Sequence, residues 1–162
     1  MTKETIQRII DREAVMPSEI LAPVWGAEIG DILEELDQDL TVLELVDVIS
    51  RANKSAQEAR RRVEENSEEI FSEYRQRWYQ VKRLALAKSV DLRQEGKEDI
   101  LIRKVMRDKE PWIGFILPLE RDSYYTSVPL RSFVRQVSNE QLAVLVSLGI
   151  TKSKPEHLLP RT

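Results

Sequence analysis

Through its first 93 residues the chain places apolar side chains at every third or fourth position, the spacing of helices packed on one side. In TKETIQRIIDREAV these positions are Ile6, Ile9, Ile10 and Ala14; Thr2 can cap the helix, Glu4 lies in its first turn and Pro17 ends or redirects it. VWGAEIGDILEELDQDL aligns Trp25, Ile29, Ile32, Leu33, Leu36 and Leu40, and Gly26 and Gly30 lie four apart, where another backbone can approach. TVLE at 41–44 has the spacing of a capping box, with Thr41 at the cap and Glu44 reaching back. Leu45, Ile49, Ala52, Ala56, Ala59, Val63 and Ile70 then continue a stripe, mostly at coiled-coil spacing. Asn66 falls on that stripe, and NSEE has the form of a second capping box. The pattern predicts one bent helix over about 41–92, roughly 75 Å long at 1.5 Å per residue, or two helices meeting near Asn66.

After RQEGKED the texture changes. ILIRKVMRDKEPWIGFIL holds two apolar runs separated by the turn-like Asp108-Lys109-Glu110-Pro111. The first run alternates imperfectly and fits strand or helix; WIGFIL, bounded by prolines and too short for a stable helix, reads as a strand. SYYTSV and SFVRQV are further β candidates. SNEQLAVLVSLGI reads as a closing helix with Ser138 and Gln141 as its capping box, Gly149 as a left-handed stop and Ile150 packing back. The expected class is α+β. A mostly helical domain over 1–93, bundle or coiled-coil-like, is followed by a linker over 94–99, a small β-rich module over 100–150 and a mobile tail over 151–162. A module of some 50 residues buries little core alone, so it is expected to lean on the helices or on a partner.

Composition narrows the classes of function. Of 162 residues, 41% are hydrophobic and 33% charged, which fits a folded chain rather than a disordered one. No apolar run approaches the roughly 18 residues of a membrane span, and the opening has no signal-peptide pattern; no membrane partner and a cytoplasmic home are expected. Cysteine is absent, which removes disulfides, thiolate metal sites and a Cys nucleophile. Residues 1–50 carry three bases against twelve acids, while the remainder is net basic. That split suits two differently charged solvated faces, two partners, or a subunit interface.

Catalytic chemistry finds no support in the pattern. The single histidine, His157, sits in the tail without a Cys or an ordered triad beside it. The pairs Glu34-Glu35, Glu64-Glu65 and Glu68-Glu69 are helix neighbours that point in different directions and read as solvated surface. No Gly-rich phosphate loop and no ligand-spaced acidic run occurs. No enzyme activity, metal, cofactor or small-molecule substrate is expected.

Two basic features remain. Arg60-Arg61-Arg62 precede EENSEE at spacings that pair Arg60 with Glu64 and both Arg61 and Arg62 with Glu65, which favours a self-neutralised solvated face. RQRWYQVKRLALAK is different, because residues 70–93 hold six bases and only two acids. Helical spacing puts Ile70, Tyr74, Trp78, Val81 and Ala85 on one face, with Tyr79 flanking it. Core packing of Trp78 with Arg and Lys stems reaching water is favoured over a base-stacking stripe.

This order of elements resembles the archaeal GINS replication subunits in which the helical domain precedes the β-domain, relatives of the eukaryotic Sld-five and Psf-one subunits. YRQRWYQVKRLALA (74–87) is similar to the family's long-helix run; ILIRKVMRDKEPWIG (100–114) and FVRQVSNEQLAVLVSLGIT (133–151) are similar to its β-domain. FILPLERDSYYTSVPLRS departs from the Gly-rich turns of that domain, and the N-terminal third matches only as helices. The resemblance implies a non-catalytic subunit of a tetramer bridging the replicative helicase and a RecJ-like partner.

The expected function is a scaffold or assembly subunit with protein partners, homo- or hetero-oligomeric through its long helices. Candidate interface residues are Ile49, Ala56, Val63, Ile70, Tyr74, Trp78 and Val81, and candidate docking residues on the β-module are Trp112, Phe115, Tyr124 and Tyr125. The rim Arg75, Arg77, Tyr79, Lys82 and Arg83 would serve a partner or, in the alternative reading, nucleic acid, together with Arg103, Lys104 and Arg107. A viral or phage structural or host-takeover oligomer is the third reading.

Overall fold

The computed structural model describes Glu13 and residues 15–152. The helix expected on Ile6, Ile9, Ile10 and Ala14, and the tail beyond 152 with His157, lie outside the described residues. The fold is α+β, helices first and a small antiparallel sheet after them. The chain divides into two compact units between Ala85 and Leu86, a break inside a helix rather than in the polar stretch 94–99. That stretch is a tight turn: Gly96 has φ 116°, the Lys97 N–H donates to the Leu92 carbonyl at 3.0 Å, and Arg93 Nε donates to the Ile100 carbonyl at 3.2 Å.

In the first unit, α1 (Ser18–Leu36) starts at Pro17, whose carbonyl accepts from the N–H groups of Ile20 and Leu21. The helix therefore begins ahead of Pro23 and carries that proline inside it. Leu21, Ala22, Trp25, Ile29 and Ile32 form its buried face, whereas Leu33, expected on the same face, turns outward. α2 (Val42–Asn66) opens with the capping box expected from TVLE: Glu44 N–H to Thr41 Oγ1 at 3.1 Å and Thr41 N–H to Glu44 Oε1 at 3.0 Å. It ends at Asn66, where Ser67 turns left-handed (φ 56°) and the Glu68 N–H returns to the Arg62 carbonyl at 3.0 Å.

Of the two arrangements open from the sequence, the chain adopts two helices. NSEE is not a second capping box; it is the C-terminal turn of α2. The next helix, α3 (Phe71–Gln94), starts three residues after Glu68. Trp25 and Phe71 pack edge to face at 5.3 Å, Trp25 and Trp78 at 6.0 Å, and Tyr74 leans on the same cluster. Leu45, Ile49, Ala52, Ala56 and Ala59 supply the buried stripe of α2.

In the second unit, β1 (Leu101–Arg107), β2 (Glu110–Pro118) and β3 (Ser123–Pro129) form an antiparallel sheet in the order β1-β2-β3. Residues 101–107 are thus strand, the alternative to helix. Asp108 (φ 51°) and Lys109 (φ 68°) make a two-residue turn with both centres left-handed, the geometry that matches strand twist. SFVRQV is not a strand. Pro129 ends β3 with φ −57° and α4 (Leu130–Val134) follows, burying Leu130, Phe133 and Val134. Their i, i+3, i+4 spacing is helical and outweighs the β preference of Phe and Val.

Phe133 packs edge to face on Phe115 at 5.3 Å. α5 (Asn139–Ser147) carries the expected Ser138–Gln141 capping box. Gly149 (φ 74°) stops the helix, and the Ile150 N–H returns to the Leu145 carbonyl with Ile150 buried.

Candidate functional site

Two places concentrate unusual chemistry, one in each unit. In the first, α2 carries a polar stripe beside its apolar one. Arg51 is buried between the carboxylates of Glu13 and Glu28, donates to Ser55 Oγ at 2.9 Å, and lies 5.6 Å from the centre of the Trp78 ring. Arg62 is equally covered. Its guanidinium reaches Glu58 at 3.0 Å, the carbonyls of Glu13 and Met16 at 2.7 and 2.6 Å, and the face of Phe71 at 5.2 Å. The solvated triple expected at 60–62 therefore holds only for Arg60, paired with Glu64, and partly for Arg61. Arg61 binds Glu58 more closely than Glu65. Arg62 does not pair with Glu65; it ties α2 to the segment before α1.

The same holds for the basic-aromatic run of α3. Trp78 is fully buried, and Lys82 is buried with it, its Nζ 2.8 Å from Asn53 Oδ1. Arg75 pairs with Glu64 at 3.6 Å, and Arg77 lies 5.6 Å over the Tyr74 ring. Arg83 and Tyr79 are half-buried, and burial pushes the Arg83 guanidinium below its usual pKa. Among the expected interface residues, Ile49, Ala56, Trp78 and Val81 have their surfaces taken up inside the unit. Val63 and Tyr74 are half-covered, and Ile70, at the helix break, is 58% exposed.

The second place is the sheet. Alternation along the register puts Ile113, Phe115 and Leu117 of β2 on the face covered by α4, with Thr126 and Val128 of β3 beside them. Phe115 is thus core, not a docking residue, and the half-buried Tyr124 shares its side of the sheet. The opposite face carries Leu101, Arg103, Val105 and Arg107 from β1, Trp112, Gly114 and Ile116 from β2, and Tyr125 and Ser127 from β3. Leu101 is 53% and Tyr125 49% exposed.

Gly114 lies beneath two side chains of this face. A Cβ there would stand 3.2 Å from Tyr125 Oη and 3.3 Å from Val105 Cγ2, so the two side chains close over the glycine. Arg107 stacks its guanidinium 4.3 Å above the Trp112 ring and donates to Ser127 Oγ at 3.2 Å. Trp112 and Tyr125 are the two expected docking residues that the sheet brings together on its open face.

Elsewhere the chemistry is tied up. An open groove beside α5 is lined by Asp91, Glu95, Glu140 and Gln141, and Gln141 Nε2 donates to both Asp91 carboxylate oxygens at 3.1 Å. Among the described residues no group of three or more His, Asp or Glu side chains is placed to hold a metal ion. No helix among them is long and apolar enough to cross a membrane. No family model matches the chain, and neither the curated proteins nor the solved structures contain a match to it.

The buried cations were missed in the sequence, yet they leave a signal. Arg51, Ser55, Glu58 and Arg62 recur at spacings of three and four beside the apolar stripe, the signature of a polar seam rather than of a solvated face.

Proposed function

We propose that the protein is a non-catalytic assembly subunit that docks a protein partner on the open face of its β-module. The observation that supports this is the half-exposed apolar set Leu101 and Tyr125, contiguous across the strands with the partly covered Ile116, Val105 and Trp112. A folded module gains nothing by leaving such a group in water, and patches of this kind mark interaction surfaces. Aromatic and Arg side chains on one face are also the composition of binding hot spots. A GINS-type replication assembly is the particular form of this reading that the resemblance implies; its support is the run 74–87 and the order of a helical domain before a β-module. A cytoplasmic location and oligomer formation belong to the same proposal.

The test is co-purification from the source organism with the wild-type chain, Leu101→Lys/Tyr125→Lys, and Ile70→Lys. The double variant is expected to lose a stoichiometric partner that Ile70→Lys retains. Retention by the double variant and loss by Ile70→Lys would move the docking surface to the helix break and refute the reading.

A further inference from the structure

β1 is an edge. Among the described residues no strand pairs with its outer side, and its seven residues are exposed except Ile102 and Val105, which are half-covered. The Asp108-Lys109 turn makes Arg107 and Glu110 the closing hydrogen-bonded pair of the hairpin, so bonded pairs recur at Val105–Trp112, Arg103–Gly114 and Leu101–Ile116. Proline at position 111 agrees with that phase, because Pro111 has no N–H and falls at a non-bonded pair with Met106. The N–H and C=O groups of Ile102, Lys104 and Met106 therefore point to the open edge. An unpaired row of this kind is a template for another strand.

The side chains say what that strand should be. β1 reads LIRKVMR, with three bases, no acid, and apolar residues on both faces; Leu101 is 53% and Met106 61% exposed. A second copy of the chain is a poor fit. Antiparallel self-pairing centred on Arg103, Lys104 or Val105 sets Arg103 against Arg103, Lys104 against Lys104, or Arg103 against Arg107, and like charges directly opposite are unfavourable. An extended segment rich in acidic and β-branched residues, with both kinds on each of its faces, meets both features. Arg103 and Arg107 share one face of β1 with Leu101, while Lys104 lies between Ile102 and Met106 on the other. Its carboxylates face Arg103, Lys104 and Arg107, and its apolar residues cover Leu101, Ile102 and Met106.

We propose that β1 takes an acidic, extended peptide segment of a partner protein as a fourth strand, added to the sheet by backbone pairing. This rests on the reading of the β-module as a docking unit and names the chemistry of its partner.

The experiment uses the full chain against a displayed library of random dodecapeptides, followed by anisotropy of the labelled selected peptides. Selected sequences should combine Asp or Glu with Val, Ile or Thr on both faces of the segment, and binding should weaken as salt rises. Lys104→Pro removes an outward N–H without touching the β1–β2 ladder and should weaken binding about tenfold or more. Lys104→Glu keeps the backbone and should weaken it comparably, which covers the case of a misfolded proline variant. Circular dichroism and the urea midpoint should be unchanged in the glutamate variant.

Selection of peptides without acidic residues, no selection above background, or undiminished binding by both variants would overturn the proposal. So would oligothymidylate binding that Lys104→Glu abolishes, or a wild-type dimer in sedimentation that Lys104→Pro dissolves, since each gives the edge another occupant. In the co-purification, a partner lost by Leu101→Lys/Tyr125→Lys but kept by both Lys104 variants refutes edge pairing while leaving the docking face intact.

Discussion

In the helical unit Arg51, Arg62 and Lys82 are 5%, 4% and 6% exposed, each fixed by named oxygens, while in the β-module Leu101, Met106 and Tyr125 stand about half in water. One unit takes cations out of solvent and the other leaves apolar surface in it. Burying a charge costs several kcal/mol, which partners offset only with good geometry, so such groups contribute less to net stability than to choosing one arrangement. They bind Glu13, Glu28, Asn53 and the segment before α1 into a single register, and in doing so they are withdrawn from any external ligand. Exposed Leu and Tyr work the other way: half of their surface stays in water, so they add little to folding, and the proposed partner is what would cover them.

The strongest way to break this contrast is to remove a buried cation. Arg51→Ala leaves the Glu13 carboxylate buried without its partner and should cost about 3–5 kcal/mol in urea unfolding. Arg51→Met with Glu13→Leu should recover most of that loss, because the pair acts through geometry rather than net attraction. A loss below about 1 kcal/mol for Arg51→Ala would mean that the pair behaves as a surface pair. Lys82→Glu comes next. It sets a carboxylate against Asn53 Oδ1 in a buried place and should cost about 3 kcal/mol, while Arg75→Glu on the same helix, where the Arg75 and Glu64 side chains are 37% and 53% exposed, should stay within about 0.5 kcal/mol. Equal effects would restore α3 as a solvated basic stripe and revive the nucleic-acid reading.

Glu58 sharpens the contrast through pH. Burial raises its carboxyl pKa, but hydrogen bonds and charge from Arg61 and Arg62 outweigh that and hold it below the usual carboxylate value. A folded pKa below the unfolded one, about 4.3, contributes stability at pH above that value, and the contribution is lost as pH falls through the folded pKa. Glu58→Gln should therefore lower stability at pH 7 by about 1–2 kcal/mol. It should also make the fall in urea midpoint between pH 5 and pH 3 shallower than in the wild type. An identical acid limb in both proteins would show that Glu58 gains nothing from its two arginines.

Local chemistry was legible in the sequence itself. Thr41–Glu44 and Ser138–Gln141 each place donor and acceptor within four residues, so spacing alone specifies the caps. The Asp108-Lys109 turn and the Gly149 stop are equally local. What could not be read depends on which residue meets which across the chain. Arg62 looks like its neighbours Arg60 and Arg61 until the carbonyls of Glu13 and Met16 arrive from some 46–49 positions away. β propensity was no guide at SFVRQV, where Phe133 and Val134 are taken into the core under β2. Phe115 and Trp112 look interchangeable as aromatic docking residues, but strand phase sends one to the core and the other to the open face.

Two substitutions on the sheet complete the scale. Gly114→Ala brings a Cβ within 3.2–3.3 Å of Tyr125 and Val105. Tyr125 is half-exposed and can swing away, so the cost in urea should be about 1 kcal/mol. A loss several times larger would make Tyr125 a fixed part of the core. Leu101→Lys should have the smallest effect, within about 0.5 kcal/mol. Leu101 is on an edge strand with half its surface in water, opposite Ile116, and lysine can keep its stem on Ile116 while its ammonium reaches solvent. The wild-type leucine is then explained by something other than folding. If Leu101→Lys instead unfolds the module at far lower urea, Leu101 belongs to the core, and the open face loses the side chain that most argues for a partner.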